Sequence, residues 1–219
     1  LLDAAIEKQG RTGSFDLIAD YAEPLPVAII AELLGVPVDR RDNLRTWSQD
    51  IVKMYDYNKT EDDERRAQRS ADEFSVFMKE LADERRRHPG DDLLTHLALV
   101  EAEGERLNER ELVATGVLVL NAGHEASVNG FGNGVMELFR HPEALASLVA
   151  DPRGLADTAV EEMLRFDSPL QLFERTAKED VTVAGVHIEQ GRKIAALLGS
   201  ANRDPKAFAA ADAFDITRD

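Results

Sequence analysis

The sequence predicts a mainly α fold of the α+β kind, and two observations carry that expectation. Apolar residues recur every three to four positions through most of the first three quarters of the 219 residues, the period of amphipathic helices. After Pro169 the period shortens to alternation in "VTVAGVHIEQGRKIAALLG", where Val181, Val183, Ile188 and Ile194 read as strand positions and Gly185 and Gly191 as turns. A helical body with a small β-hairpin region near its C-terminal end follows.

The elements can be justified in order. "FDLIADYAEPLPVAIIAELLGVPVD" reads as one helix entered after Pro24-Leu25-Pro26 and stopped at Gly35, with Pro37 beyond. "RRDNLRTWSQDIVKMY" is a second. "TEDDERRAQRSADEFSVFMKELADERRRHPG" is a long helix, charged on one face and closed by Pro89-Gly90. Its basic run Arg85-Arg86-Arg87 suits a solvated helix end, where cations offset the dipole. "DDLLTHLALVEAEG" is a short helix with Asp91 or Asp92 as N-cap. The central helix is placed at about 109–140, roughly 45 Å long. Pro142 opens "PEALASLVAD", and "ADTAVEEMLRFD" follows, ended before Pro169. "ANRDPKAFAAADAFDITRD" is rich in turn residues. No strong linker divides the chain, so residues 1–219 are read as a single domain. It opens and closes in mid-pattern, as a segment of a longer protein would.

Composition narrows the function classes. The formal net charge is −16, which disfavours nucleic acid, whose phosphates call for Lys/Arg stripes. No apolar run approaches the ~20 residues of a membrane span. The first residues lack the basic and apolar regions of a signal peptide. The chain has no Cys, which removes disulfides, thiolate catalysis and Cys-based metal sites. A cytoplasmic address is expected.

Three constellations carry chemistry. "NAGHEASVNG" (121–130) sets Gly123 and Gly130 inside a long apolar helix, although each interior Gly costs about 1 kcal/mol relative to Ala. Either a break in the ladder opens a functional groove at Ala122-Gly123, or small residues let another helix approach. In "EEMLR", Glu162 and Arg165 share a helix face and can pair. In "FERTAKED", Arg175 follows a Pro-broken helix and precedes a strand, where it either holds a carboxylate bidentately or, as is commoner, simply stands exposed.

In this order the three motifs resemble the cytochromes P-450, haem-thiolate monooxygenases, in their bacterial form. "LNAGHEAS" resembles the family's A-G-x-[DE]-T motif on the helix that crosses the haem. "EEMLR" matches its E-x-x-R, and "FERTAKEDVTVAGVHIEQGRKIAALLGSANRDPKAF" is similar to the segment leading to the haem loop. The resemblance covers essentially all 219 residues. It implies Ala122 and Gly123 in the oxygen-binding groove, with Glu125, Ala126 and Ser127 at the catalytic positions. It also implies Arg175 on a haem propionate, Asn121 and Leu170, Gln171, Leu172 and Phe173 along the substrate pocket, and Glu162–Arg165 as a buried structural pair. Haem b would be the cofactor of a full-length parent, a small hydrophobic or polyhydroxylated molecule the substrate, and a ferredoxin with its reductase the electron donor. No nucleic acid or membrane partner is implied.

Four departures stand out. The Cys that ligates iron is missing. So are the family's early strands. Ala213 stands where an Arg normally completes the network with Glu162 and Arg165, leaving Arg218 as the substitute. Where most members carry Thr after the acid, this chain has Ala126, which has neither donor nor acceptor. Two other readings are open. One is a haem-free helical fragment that catalyses nothing. The other is a Mg²⁺-dependent helical terpene synthase using Asp91-Asp92 and the face formed by Asn129, Asn133 and Glu137.

Overall fold

A computed structural model describes residues 3, 6–7, 13–56, 58–99, 101–102 and 105–218. The chain forms two compact units, residues 1–128 and 129–219.

In the first unit, a π-turn at Ile18–Ala22 leads into α1 (Pro24–Leu33). The helix starts at the prolines rather than after them. Pro24 occupies the first turn, where a missing N–H costs nothing and φ is already helical. It ends before Gly35, whose φ of +70° is open to Gly without strain. Then come α2 (Arg41–Val52), α3 (Glu61–Arg87), α4 (Leu93–Leu99) and a two-rung pairing of β1 (Glu101–Ala102) with β2 (Glu105–Arg106). Helix α3 opens on a capping box: Thr60 Oγ1 accepts from Asp63 N, and the Thr60 hydroxyl and backbone N–H both donate to the Asp63 carboxylate. These hydrogen bonds, the Thr60 hydroxyl first, hold the Asp63 carboxyl down at about 2. Asp92, not Asp91, caps α4, accepting from Thr95 N at 2.7 Å.

The core of this unit packs Ile30, Ala31 and Leu34 of the α1 segment against Leu44 and Trp47 of α2 and Phe74, Phe77, Met78 and Leu81 of α3. Trp47 lies 5.2 Å from Phe74 and 5.5 Å from Phe77, centroid to centroid, within the separation of interacting aromatic pairs. Arg85 departs from the solvated reading of its basic run. It donates to Asp92 Oδ2 at 2.6 Å and to Gly35 O at 2.5 Å, tying the end of α3 to the ends of its neighbours.

Helix α5 (Glu109–Arg140) spans the expected 32 residues. It is α-helical without interruption through 121–130, so no bulge opens the groove. At Gly123 the close-packing alternative holds instead: a Cβ there would lie 2.8 Å from Ile30 Cδ1.

In the second unit, α6 (Pro142–Ala150) and α7 (Pro152–Phe166) each begin on proline. Two separate antiparallel pairs follow: β3 (Phe173–Thr176) with β6 (Lys193–Ala196), and β4 (Val181–Val183) with β5 (Val186–Ile188). A short α8 (Leu198–Ala201) precedes the irregular tail. Leu138, Ala159 and Ile216 centre a small second core. Among the described residues no helix is long and apolar enough to cross a membrane.

Phe74 is fully buried and Val76, two residues on, is 58% exposed. Phe74→Ala should therefore cost about 3–5 kcal/mol through lost burial and a cavity, while Val76→Ala stays within about 0.5 kcal/mol. Chemical denaturation of both variants checks the contrast.

Candidate active site

The strongest polar centre lies on α7. Glu162 and Arg165 are 2% and 7% exposed, too dry to be left unpaired. Arg165 donates to Glu162 through Nε at 2.6 Å and Nη2 at 2.8 Å, a bidentate fork. Its remaining donors reach Asn202 O, Ala211 O and Ala213 O. Glu162 also accepts from Asp215 N at 2.7 Å and from Arg218 Nε at 3.0 Å. Arg218 thus stands where Ala213 has no side chain to offer, and it also donates to Ala209 O, Ala210 O and Ala213 O. Burial pushes the Glu162 carboxyl up, but the hydrogen bonds of Arg165, Asp215 and Arg218 outweigh it and hold the group below its ordinary range. Arg203 was not singled out from sequence. It donates twice to Phe166 O and stacks 3.5 Å over the Phe166 ring. Its only signal was an Arg in a turn-rich run, which is too common to choose.

Arg175 lies on β3 opposite Ile194. Its guanidinium rests 3.7 Å above the Phe173 ring and donates to Glu174 O, with no carboxylate partner among the described residues. Leu170, Leu172 and Phe173 are 42%, 41% and 38% exposed. Gln171 is turned back onto Ser168 O at 2.8 Å. This is an exposed apolar strip ending in a free cation, a surface suited to an apolar ring that carries carboxylates.

In the first unit, Leu118, Ala122, Glu125 and Ala126 are all exposed at spacings that put them on one face of α5. Ser127 is exposed too, about 100° further round. Asn121 is half-buried and Gly123 is turned onto Ile30, so at this level the small, open surface is carried by Ala122 and Ala126. Partial burial raises the Glu125 carboxyl above its ordinary range, the Asp56 carboxylate adds to the rise, and Lys53 opposes it. On the other side of the helix His124 is buried, its Nδ1 2.9 Å from Ser48 Oγ.

Three residues of the Mg²⁺ reading are taken up by the fold. Asp92 pairs with Arg85, Glu137 is buried and pairs with Arg140 at 2.6 Å, and Asn133 donates to Asp167 O. No cluster of three or more His, Cys, Asp or Glu suited to a metal occurs among the described residues.

The cytochrome P450 family profile matches residues 153–218, the segment holding the Glu162 centre and Arg175. The biotin biosynthesis cytochrome P450 of Bacillus subtilis is 40% identical over 203 residues, 93% of this chain and 51% of that protein. The 6-deoxyerythronolide B hydroxylase of Saccharopolyspora erythraea is 40% identical over 217 residues, 98% of this chain and 52% of its own length. The solved structure of P450BioI in complex with a hexadec-9Z-enoic acid-ligated acyl carrier protein superposes with a TM-score of 0.88 at 36% identity, covering 99% of this chain and 56% of that one. This chain belongs to the cytochrome P450 family. It spans about half the length of the curated relatives it matches.

Cytochromes P450 bind haem, and two surfaces of this chain suit it. The α5 face offers small side chains at Ala122 and Ala126 with exposed Leu118 beside them, and β3 offers the unpaired Arg175 cation. The axial thiolate is not among the 219 residues, which contain no Cys.

Glu162→Ala should cost about 3–5 kcal/mol, because it strands Arg165 in the interior. Soluble yield and denaturation measure it. Since the folded Glu162 pKa is depressed, its stabilising contribution should be complete above the ordinary value of 4.5 and fade as pH falls below it. A second outcome concerns Glu125: Asp56→Asn should lower its pKa and Lys53→Met should raise it, read from the carboxyl carbon by NMR titration.

Proposed function

We propose that the full-length protein is a haem-dependent monooxygenase that inserts one atom of O₂ into a C–H bond of a small organic molecule, with a polyketide or similar oxygen-bearing natural product as substrate. Bound haem supplies the activation of O₂, using electrons from a ferredoxin and its reductase. On the first unit, Ala122 and Ala126 would be the small surface that haem lies against, with Gly123 behind them packed on Ile30; on the second, Arg175 would be the cation for a propionate carboxylate. The thiolate ligand belongs to sequence outside these 219 residues. Asn121 on the first unit is a substrate-facing residue in this reading, and so, on the second, are Leu170, Leu172 and Phe173, with Gln171 held against Ser168 beside them.

The observation that carries the reading is Ala126. It sits on the exposed face beside Glu125, where a relay hydroxyl would be needed, and it has none. Ser127 is too far round the helix to replace it. Glu125, with its raised proton affinity, can hold a proton at its carboxyl and pass it inward. The gap between Glu125 and the reacting oxygen is filled by a water held on a hydroxyl of the substrate. The 6-deoxyerythronolide B hydroxylase likeness supports an oxygen-rich substrate class.

In the full-length enzyme, an analogue lacking the assisting hydroxyl should form product about 10²-fold more slowly, the lower end of what a positioned proton donor contributes, with the reductant lost as peroxide. Ala126→Thr should restore part of the coupling. Product and peroxide per NAD(P)H check both. Equal coupling with and without the substrate hydroxyl overturns substrate assistance.

A further inference from the structure

Asn121 is the one polar residue in the run "GVLVLNAG", and what lies behind it decides which end of its amide faces outward. Asn121 and His124 are three apart and present the same side of α5 to Ser48 of α2. Ser48 is fully buried and His124 is 5% exposed. Ser48 Oγ stands 2.9 Å from His124 Nδ1 and 3.5 Å from Asn121 Oδ1. Ser48 has one hydrogen to give, so the His124 tautomer sets its direction. Two buried side-chain nitrogens have no partner among the described residues: His124 Nε2 and Arg45 Nε. Burial favours a neutral ring, the Arg45 cation favours it further, and the Glu23 carboxylate, paired with Arg45, works against it. If Nε2 carried the ring's proton, a buried donor would face no acceptor while a cation stood nearby. With the proton on Nδ1, Nε2 is left as a bare lone pair. Nδ1–H then donates to Ser48, and the Ser48 hydroxyl donates on to Asn121 Oδ1.

We infer that Ser48 and His124 are positioning residues that hold the Asn121 amide with its carbonyl inward and its NH₂ outward, so that this face of α5 selects a molecule presenting an oxygen acceptor. The inference rests on the reading above that Asn121 borders the substrate. It makes specificity depend on two buried side chains that touch no substrate. Asn121 Nδ2 is a donor only, so it meets a carbonyl, ether or hydroxyl oxygen and discriminates against a hydrocarbon of the same shape.

Two measurements on the full-length haem protein test this. In its diamagnetic ferrous carbonyl form, ¹⁵N-histidine NMR should show His124 neutral with the proton on Nδ1 at pH 7, the signal assigned by its loss in His124→Gln. A proton on Nε2, or a charged ring, overturns the positioning chain. The second is an optical titration with a 16-membered ring lactone and the cycloalkane of equal ring size. The lactone should bind roughly 5–10-fold more tightly, the worth of one hydrogen bond. That preference should shrink in Ser48→Ala and vanish in Asn121→Leu. Loss in Asn121→Leu with no change in Ser48→Ala overturns the positioning role while leaving Asn121 in the pocket. No change in Asn121→Leu overturns the pocket reading itself and the selectivity with it. If neither probe perturbs the haem spectrum, the substrate class proposed above fails, and the histidine tautomer still decides the positioning chain.

Discussion

A carboxylate buried to 2% exposure cannot stand alone, and the second unit is organised around that constraint at Glu162. Leaving one ionised group unpaired in the interior costs several kcal/mol. The chain answers with two guanidinium groups and a backbone N–H, drawn from α7, residue 218 and residue 215. Arg165 and Arg218 spend their other donors on carbonyls between residues 202 and 213. A stretch with almost no regular secondary structure is thereby given a single conformation. Several of its carbonyls, which no helix or sheet satisfies, accept from these side chains, while turns pair others along the backbone. Arg203 does the same work one layer out, over Phe166.

The first unit reaches order by another route. Its core is aromatic and aliphatic, with Trp47, Phe74, Phe77 and Leu44 filling the space among three helices. The polar groups inside it are few and specific: Arg85 on Asp92 and Gly35, and Ser48 on His124. Helix α5 shows both characters at one level. Gly123 and His124 serve packing, while Ala122, Glu125 and Ala126 stay open to solvent. A helix that buries one side and offers small side chains on the other is well made to border a flat cofactor. The acid next to the open face has its proton affinity raised by its surroundings, which suits proton transfer near neutral pH better than an ordinary carboxylate would.

Much of this could be read from residue order. The 3.6-residue period, Pro142 at a helix start and the Gly35 stop placed the helices, because each is a local backbone preference, while the starts at Pro24 and Pro152 lay a few residues earlier than read. The change of period after Pro169 announced the strands. The motif order pointed to the cytochromes P450, and the sequence comparisons agree. What periodicity missed was decided by contacts across long stretches of chain. Arg85 is a half-buried clamp rather than a solvated cap because Asp92 and Gly35 come to it only in the fold. Of the two readings that Gly123 left open, the contact with Ile30 selects close packing over a break in the helix.

The division between the two kinds of information is physical. Sequence by itself determined the helical character, the family, the lack of Cys in these 219 residues and the lack of a hydroxyl on Ala126, since these depend on which atoms a residue has and on spacing along one helix. Tertiary structure alone decided that Arg218 completes the Glu162 centre, that Ser48 meets His124, and that Arg175 has no carboxylate partner among the described residues. Glu162 and Arg218 are 56 positions apart and Ser48 and His124 are 76 apart. No local preference of the chain reaches that far, and only burial, which makes an unsatisfied polar group expensive, selects such partners.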